Sequence, residues 1–377
     1  MAADGRAPLY QRIKADLRAA VHRGEYEAGG PFVTQRELCA RYGVSTTTAV
    51  KALNDLVAEG LLIRRQGRGT YVAERAERAG GPGVLRTIAC IVHGLRGTHV
   101  STVVSGVESV CAELGYRMYL TDTARRDVLA SPRREATALT EALLSPVAGI
   151  VLYPVEGAHN AALLSRIRRH GIPLVLVDRY RTDVPTDAVM VDNVALGYQL
   201  TRHLIAAGHE RILTLWSETR VTSVRDRLTG HVRALRERGL AVSPELTALR
   251  PYGEQAEPVR LALLRSALDA ADPPTAALCA NGYVVATVAR DLVTVGRSVP
   301  VDVALAGMDD AGPVDLLGLA TVTAALPSAE LGATAMRLVA QRIAGATDDP
   351  RHVTLPTEVR TRDARAGHLR TVGRERT

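Results

Sequence analysis

Aromatic side chains are scarce in this 377-residue sequence, 3% in all with one Trp and one Phe. Core packing must therefore rest on Leu, Val, Ile and Ala, and few rings are present to stack on a ligand. Lysine is nearly absent: Lys14 and Lys51 are the only two. A pyridoxal-phosphate enzyme needs a lysine for its Schiff base, so that chemistry is excluded for everything after residue 51. The four cysteines, Cys39, Cys90, Cys111 and Cys279, lie far apart, with no CxxC pair and no histidine cluster at zinc-ligand spacing. They are expected to be small buried thiols of a reducing compartment, with no metal site. No apolar run approaches the roughly 18 residues that a membrane helix needs. The first twenty residues interleave Asp4, Arg6, Arg12, Lys14, Asp16 and Arg18 with apolar positions, unlike the core of a signal peptide. A cytoplasmic protein with no membrane partner is expected. GxSxG, HExxH, P-loop and strand-to-helix GxGxxG patterns are missing as well. Asp309 and Asp310 are adjacent, and neighbours at a strand end seldom face one site. The expectation is a protein without enzymatic activity and without a cofactor.

What is present is globular: 46% hydrophobic and 23% charged residues, with a formal net charge of +7. Residues 1–75 hold 12 Lys plus Arg against 8 Asp plus Glu, so more than half of the excess lies in the first fifth of the chain. That distribution points to nucleic acid at the N-terminal end. The stretch ERAERAGGPG, residues 74–83, separates two textures. Before it, Leu9, Ile13, Leu17 and Val21 recur every fourth residue, and Leu38, Tyr42 and Val44 mark a second short helix and its turn.

Thr34 caps that second helix, and Ser45, after Gly43 and Val44, caps a third over about Thr46–Glu59 that stops at Gly60. At about 100° per residue Ala49, Ala52, Leu53, Leu56 and Val57 share its inner side, leaving Thr47, Thr48, Lys51 and Asn54 outward and Thr46 and Val50 on the flanks. Hydroxyls, free N–H groups and the positive dipole end suit a phosphate backbone, and threonine methyls suit thymine. The spacing is that of a helix-turn-helix. LLIRRQGRGTYV then gives two strands around a Gln66-Gly67-Arg68-Gly69 turn, a basic wing.

Residues 8–73, with PLYQ, the GE turn, RELCARYGVSTTT, EGLL and RRQGRGTYV, resemble the winged helix-turn-helix domain of GntR-type transcription regulators over its whole length. The resemblance implies that double-stranded DNA is contacted by Arg36, Ser45, Thr47, Thr48 and the wing around Gly67 and Arg68. Thr46, Lys51 and Arg65 complete the expected surface. Thr46 and Val50 stand where relatives commonly carry arginines, which shifts base readout toward Lys51 and the threonines.

After the linker, β-branched runs alternate with amphipathic stretches: TIACIV (87–92), GIVLYPV (149–155), PLVLVD (173–178), RILTLW (211–216), AALCAN (276–281) and DVALAGMD (302–309). Such runs predict parallel sheets covered on both faces, in two α/β lobes. Open α/β lobes bind ligands beyond the carboxyl ends of their strands. That draws attention to His93, Gly94, Pro154, Val155, Asp178, Arg179, Trp216, Asn281 and Asp309, although Asp178, Asn281 and Asp309 could equally cap a turn, cap a helix or hold a loop. VDNVALGYQLTRHLIAAGHERILTL (191–215), RDRLTGHVRAL (225–235), RSVPVDVALAGMDDAG (297–312) and LATVTAALPSAELGATAMRLVAQRIAG (319–345) resemble the effector domain of LacI/GalR-type repressors. This fold is shared with periplasmic sugar-binding proteins.

The resemblance covers about residues 86–363 and implies a ligand in a cleft between lobes joined by three crossovers, with dimerisation through the same domain. It carries Arg179, Arg227, Asn281 and Asp309 as ligand contacts. His99, in RGTHVST where relatives often have stacking rings, joins the candidate effector set with Tyr153, Asp178 and Trp216. Gly282 stands where an aspartate usually follows the asparagine. LacI-type repressors join their domains by a minor-groove helix, which GGPG cannot sustain. Coupling through the spacing or tilt of paired heads is expected instead.

The organisation expected is a DNA-binding domain at 1–75, a linker at 76–86, an effector and dimerisation domain at 87–363 and a tail at 364–377. The function expected is that of a homodimeric, ligand-responsive transcription regulator, a repressor answering to a sugar-like or other polar metabolite. The alternative is a regulator whose second domain serves only dimerisation or a protein partner.

Overall fold

The computed structural model describes residues 9–22, 25–27, 29–58, 61–65, 69–73, 86–124, 130–249, 251–308, 319–346, 348–362 and 369–371. The four-residue rhythm of the N-terminus forms helix α1 (Leu9–His22), whose Ile13, Leu17 and Val21 pack with α2 (Gln35–Tyr42) and α3 (Thr46–Ala58). Thr34 closes a capping box with Glu37, its hydroxyl accepting from Glu37 N while the Glu37 carboxylate takes the Thr34 N–H at 2.7 Å. Gly43, at φ 63°, ends α2 in the left-handed conformation that glycine tolerates without penalty. Chain direction then reverses into α3, whose Ala49, Ala52, Leu53 and Leu56 are buried as their spacing requires. Strands β1 (Leu62–Arg65) and β2 (Gly69–Val72) pair antiparallel, Leu62 opposite Val72. Phe32 N donates to Thr70 O and Val72 N to Gly30 O, which fastens the wing to the segment before α2.

The remaining elements form two lobes. The first begins with β3 (Thr87–Val92), α4 (Thr98–Glu113), β4 (Arg117–Asp122), α5 (Ala130–Leu144), β5 (Gly149–Leu152), α6 (Ala161–Arg169), β6 (Leu174–Val177) and β7 (Asp187–Val191). The chain crosses to the second lobe through α7 (Asn193–Ala206), β8 (Ile212–Leu215), α8 (Thr222–Glu237), α9 (Pro244–Thr247), α10 (Glu257–Leu268), β9 (Ala276–Cys279), α11 (Gly282–Thr294), β10 (Ala304–Met308) and β11 (Val322–Ala325). It returns with α12 (Ser328–Ile343) and β12 (His352–Leu355), then crosses again into β13 (Glu358–Arg362) and β14 (Leu369–Thr371). One sheet has the order β12-β7-β6-β5-β3-β4 and is parallel throughout. The other is β14-β13-β11-β10-β9-β8, antiparallel only at β13 and β14. The three crossovers bring the carboxyl ends of the two sheets to face one another.

All six apolar runs read from the sequence form strands. The tail reading of 364–377 needs correction: Leu369–Thr371 pairs antiparallel with β13, so the second sheet extends past residue 363. The expected linker, 76–86, lies outside the described residues except for Arg86.

Each crossover helix is nailed to its lobe by reciprocal glycines. A Cβ at Gly230 of α8 would fall on the carbonyl oxygen of Val194 in α7, and one at Gly197 of α7 on that of Arg227 in α8. Gly106 of α4 and Gly332 of α12 meet in the same manner, against the carbonyls of Ala329 and Val103. The backbones approach so closely that only hydrogen fits between them. Beside the first contact His231 is fully buried, its Nδ1 2.9 Å from the Thr201 hydroxyl and its Nε2 without a partner.

Burial lowers the His231 pKa to about 4. In the unfolded chain it would protonate below about 6.5, so the stability its neutral form contributes is complete above that pH and is lost as pH falls toward 4. His231→Gln should therefore lose less stability than wild type between pH 7 and pH 4.5, by on the order of 2–3 kcal/mol. Urea midpoints of both proteins at the two pH values check this, and equal acid sensitivity would contradict it.

Candidate functional site

In the head, Ser45 accepts from Thr48 N at 3.3 Å and its hydroxyl lies 2.9 Å from the Thr48 hydroxyl, so both residues are spent partly on capping α3. Thr46 and Thr47 are exposed, as are Ser45 and Arg36, while Thr48 is half-buried. Lys51, exposed on the outer face, holds its ammonium 4.1 Å from the centre of the Tyr10 ring. Arg65 stacks on Tyr71 at 4.9 Å, and Arg64 donates to Asn54 Oδ1 at 2.5 Å, tying the wing to α3. Gly67 and Arg68, the expected tip of the wing, lie outside the described residues. The head thus offers a helix N-terminus with hydroxyls and cations on one side, geometry that fits a phosphate backbone and a groove.

Between the lobes lies a buried polar cluster. Tyr153 OH donates to Asp178 Oδ2 at 3.0 Å, and His99 Nε2 approaches the other carboxylate oxygen to 3.4 Å. Asp178 is itself in left-handed backbone, φ 68°, immediately after β6. His99 Nδ1 is 2.7 Å from the hydroxyl of Ser328 at the start of α12, and the Gly106–Gly332 contact holds α12 against α4 at that end. Arg179, 5% exposed, donates to Pro154 O at 2.8 Å and to Glu218 Oε2 at 2.5 Å, with its guanidinium 4.7 Å from the Tyr153 ring centre. Arg227 donates to Asn193 Oδ1 at 2.7 Å and to Ala280 O at 3.1 Å.

Burial acts to raise the Asp178 carboxyl. The imidazole of His99 and the charges of Arg227 and Arg179 outweigh that and hold it well below the usual carboxylate range. Burial and the neighbouring Asp178 push the Tyr153 phenol far above 10. For Arg179 burial favours the neutral form, but the Glu218 carboxylate overrides it and keeps the guanidinium charged. Burial lowers His93, which lies 3.8 Å from Glu218, so it is neutral near pH 7.

Four of the expected effector residues, His99, Tyr153, Asp178 and Arg179, therefore meet in one cluster, with Arg227 close enough to bias Asp178. Asn281 has the capping role: its Oδ1 accepts from Val284 N at 3.0 Å, while Nδ2 reaches Ser217 Oγ at 3.3 Å. Trp216 is fully buried and its indole N–H has no partner, so in this conformation it packs beneath the strand ends and bonds to none of the cluster. Asp309 lies outside the described residues.

Sequence reasoning missed Glu218, Asn193 and Ser328. Each follows a strand by two or three residues, so a wider window after β7, β8 and β11 would have reached all three. The lobes also touch through Arg220 N, which donates to Glu156 Oε1 at 2.7 Å, and through the Thr222 hydroxyl, which donates to Tyr180 O at 3.1 Å. Beside these contacts is a cavity of about 540 Å³ that includes Arg179, Tyr180, Arg181, Arg220 and Arg225 in its lining.

A winged helix-turn-helix joined to a hinged pair of α/β lobes with a polar cluster between them defines a DNA-binding regulator with a ligand-sensing body. Residues 9–72 match the family of bacterial regulatory proteins, gntR family, and residues 201–364 match the periplasmic binding protein-like domain. The chain is a transcription regulator that joins a GntR-type head to a periplasmic-binding-protein-like body. It is 27% identical over 336 residues to an arabinose metabolism transcriptional repressor of Halalkalibacterium halodurans, a match covering 88% of each chain. A repressor of the same description from Geobacillus stearothermophilus is 26% identical over 345 residues, 89% of this chain and 91% of the other. Among solved structures, a LacI family transcriptional regulator from Mycobacterium smegmatis shares the fold, with a TM-score of 0.62 at 21% identity over 77% of this chain and 98% of its own. Among the described residues no helix is long and apolar enough to cross a membrane.

Proposed function

We propose that the protein is a repressor that grips a roughly palindromic operator as a homodimer, and that a small sugar-like metabolite entering the interlobe cleft changes that grip. On the DNA side the contacts are Arg36, Ser45, Thr46, Thr47, Thr48, Lys51 and Arg65, with Gly67 and Arg68 at the wing tip. On the effector side they are His99, Tyr153, Asp178, Arg179, Arg227, Asn281 and Asp309. Trp216 serves as packing beneath them. The observation that carries the reading is the buried cluster itself. Two carboxylates and two guanidinia between lobes each cost desolvation, and a body kept only for dimerisation has no need of them. Arrays of fixed acceptors and donors are what hydroxyl-rich ligands require. The likeness to two arabinose repressors over nearly nine-tenths of the chain supports the sugar class. The chain acts by binding and carries out no reaction of its own.

Gel-shift titration on the DNA flanking its own gene, against random duplex competitor at moderate salt, tests the reading. Tight binding that L-arabinose or another pentose alters is expected; no preference for any duplex would end it. Under the same conditions Lys51→Ala should weaken operator binding and reduce the slope of log K against log salt by about one, the signature of a lost phosphate contact. Unchanged affinity would remove Lys51 from the interface.

A further inference from the structure

Glu218 belongs to none of the strand-end or family positions considered above, yet it makes the shortest polar contact across the lobes. Its Oε2 takes Arg179 Nη2 at 2.5 Å. The other oxygen is buried without a hydrogen-bond partner, 3.8 Å from His93 Nε2. Its backbone is held at φ 46°, left-handed for a residue with a side chain, by a bond from Glu218 N to Glu254 Oε1 at 3.0 Å. Such strain costs on the order of 1 kcal/mol and persists where the surroundings impose it. Here it aims a carboxylate at the effector cluster.

The consequence is charge balance. The carboxylates of Asp178 and Glu218 stand against the guanidinia of Arg179 and Arg227, burial lowers the pKa of His93, and the carboxyls of Glu254 and Glu156, which accept from Glu218 N and Arg220 N, add acid and no base at the same edge. A bound molecule that brings no charge leaves this balance intact, trading hydrogen bonds with Asp178 and the guanidinia. A carboxylate or phosphate on the same carbon skeleton would face Glu218 in a medium that screens little. Three arginines also line the adjoining cavity, but they do not offset this. Arg181 is held by both oxygens of Asp183 and by Gly157 O and His159 O. Arg220 and Arg225 are exposed, where water and salt weaken their pull.

We propose that Glu218, by neutralising Arg179 inside the cleft, makes this regulator selective for an uncharged polyhydroxylated effector and excludes the corresponding sugar acid or sugar phosphate. The proposal rests on the reading of the cleft as the effector site. Calorimetric titration of the full chain at moderate salt, with L-arabinose, D-ribose and D-xylose and with their aldonates and 5-phosphates, tests it. Wild type should bind at least one neutral sugar and bind its charged derivatives at least tenfold more weakly. In Glu218→Gln, which keeps an acceptor for Arg179, that preference should fall by tenfold or more.

The wild-type titration stands even where the variant does not fold. Charged derivatives bound by wild type as tightly as the neutral sugar, or an unchanged preference in folded Glu218→Gln, would overturn the selectivity and leave the effector-site reading in place. Binding of none of the panel by either protein would remove the carbohydrate reading of the cleft, and the selectivity with it.

Discussion

Gly230→Ala should destabilise the protein by about 2 kcal/mol or more, although alanine is the better helix former by about 1 kcal/mol. The added methyl would fall on the Val194 carbonyl and lie 2.7 Å from Tyr198 N, and both obstacles are backbone of α7. No side-chain rotation relieves such a contact, so α7 and α8 must separate. Because Gly197 faces Arg227 across the same crossing, separation would also loosen the bond from Arg227 to Asn193. The variant should therefore show a lower urea midpoint in the second lobe and a weaker effector response, with the head's fold unaffected. A wild-type midpoint would show that the helices do not pack this closely in solution.

Arg227→Ala should leave operator binding within about twofold and weaken effector binding by a hundredfold or more. Hydrogen bonds from a charged group contribute about 1.5–3 kcal/mol each and each 1.4 kcal/mol is tenfold, so a ligand that loses two of them loses a hundredfold or more. Arg227 is buried, anchored to Asn193 Oδ1 and Ala280 O, and its charge helps keep Asp178 ionised. Its bonds to Asn193 and Ala280 are made within the second lobe and its crossover helix. Gel shifts with and without the effector separate the two functions: a normal ligand response in the variant would take Arg227 out of the site, and lost operator binding without ligand would give it a structural role instead.

Much of the architecture was legible because local physics wrote it. Thr34 with Glu37, Gly43 and Ser45 are short-range devices whose partners lie within a few residues, and they stand where their chemistry put them. The runs TIACIV, PLVLVD and AALCAN are apolar on both faces because helices cover both sides of their sheets. Strand β4, RMYLTD, has no such run because it is an edge strand and half-exposed. The charged β13 and β14 are at the other lobe's edge, which is why the end of the chain read as a tail.

The site divided along the same line. Asp178 and Arg179 could be found because a strand's end is visible in sequence and ligands gather there. Glu218 lies 39 residues from Arg179, and Ser328 lies 229 residues from His99; no periodicity or spacing links such pairs. The sequence by itself determined the helices of the head, the parallel strands of the lobes and the type of residue at each strand end, since those follow from caps and apolar patterning along the chain. Only the tertiary structure decided which charges neutralise one another between the lobes, because three crossovers and the glycine contacts set distances that the order of residues does not contain.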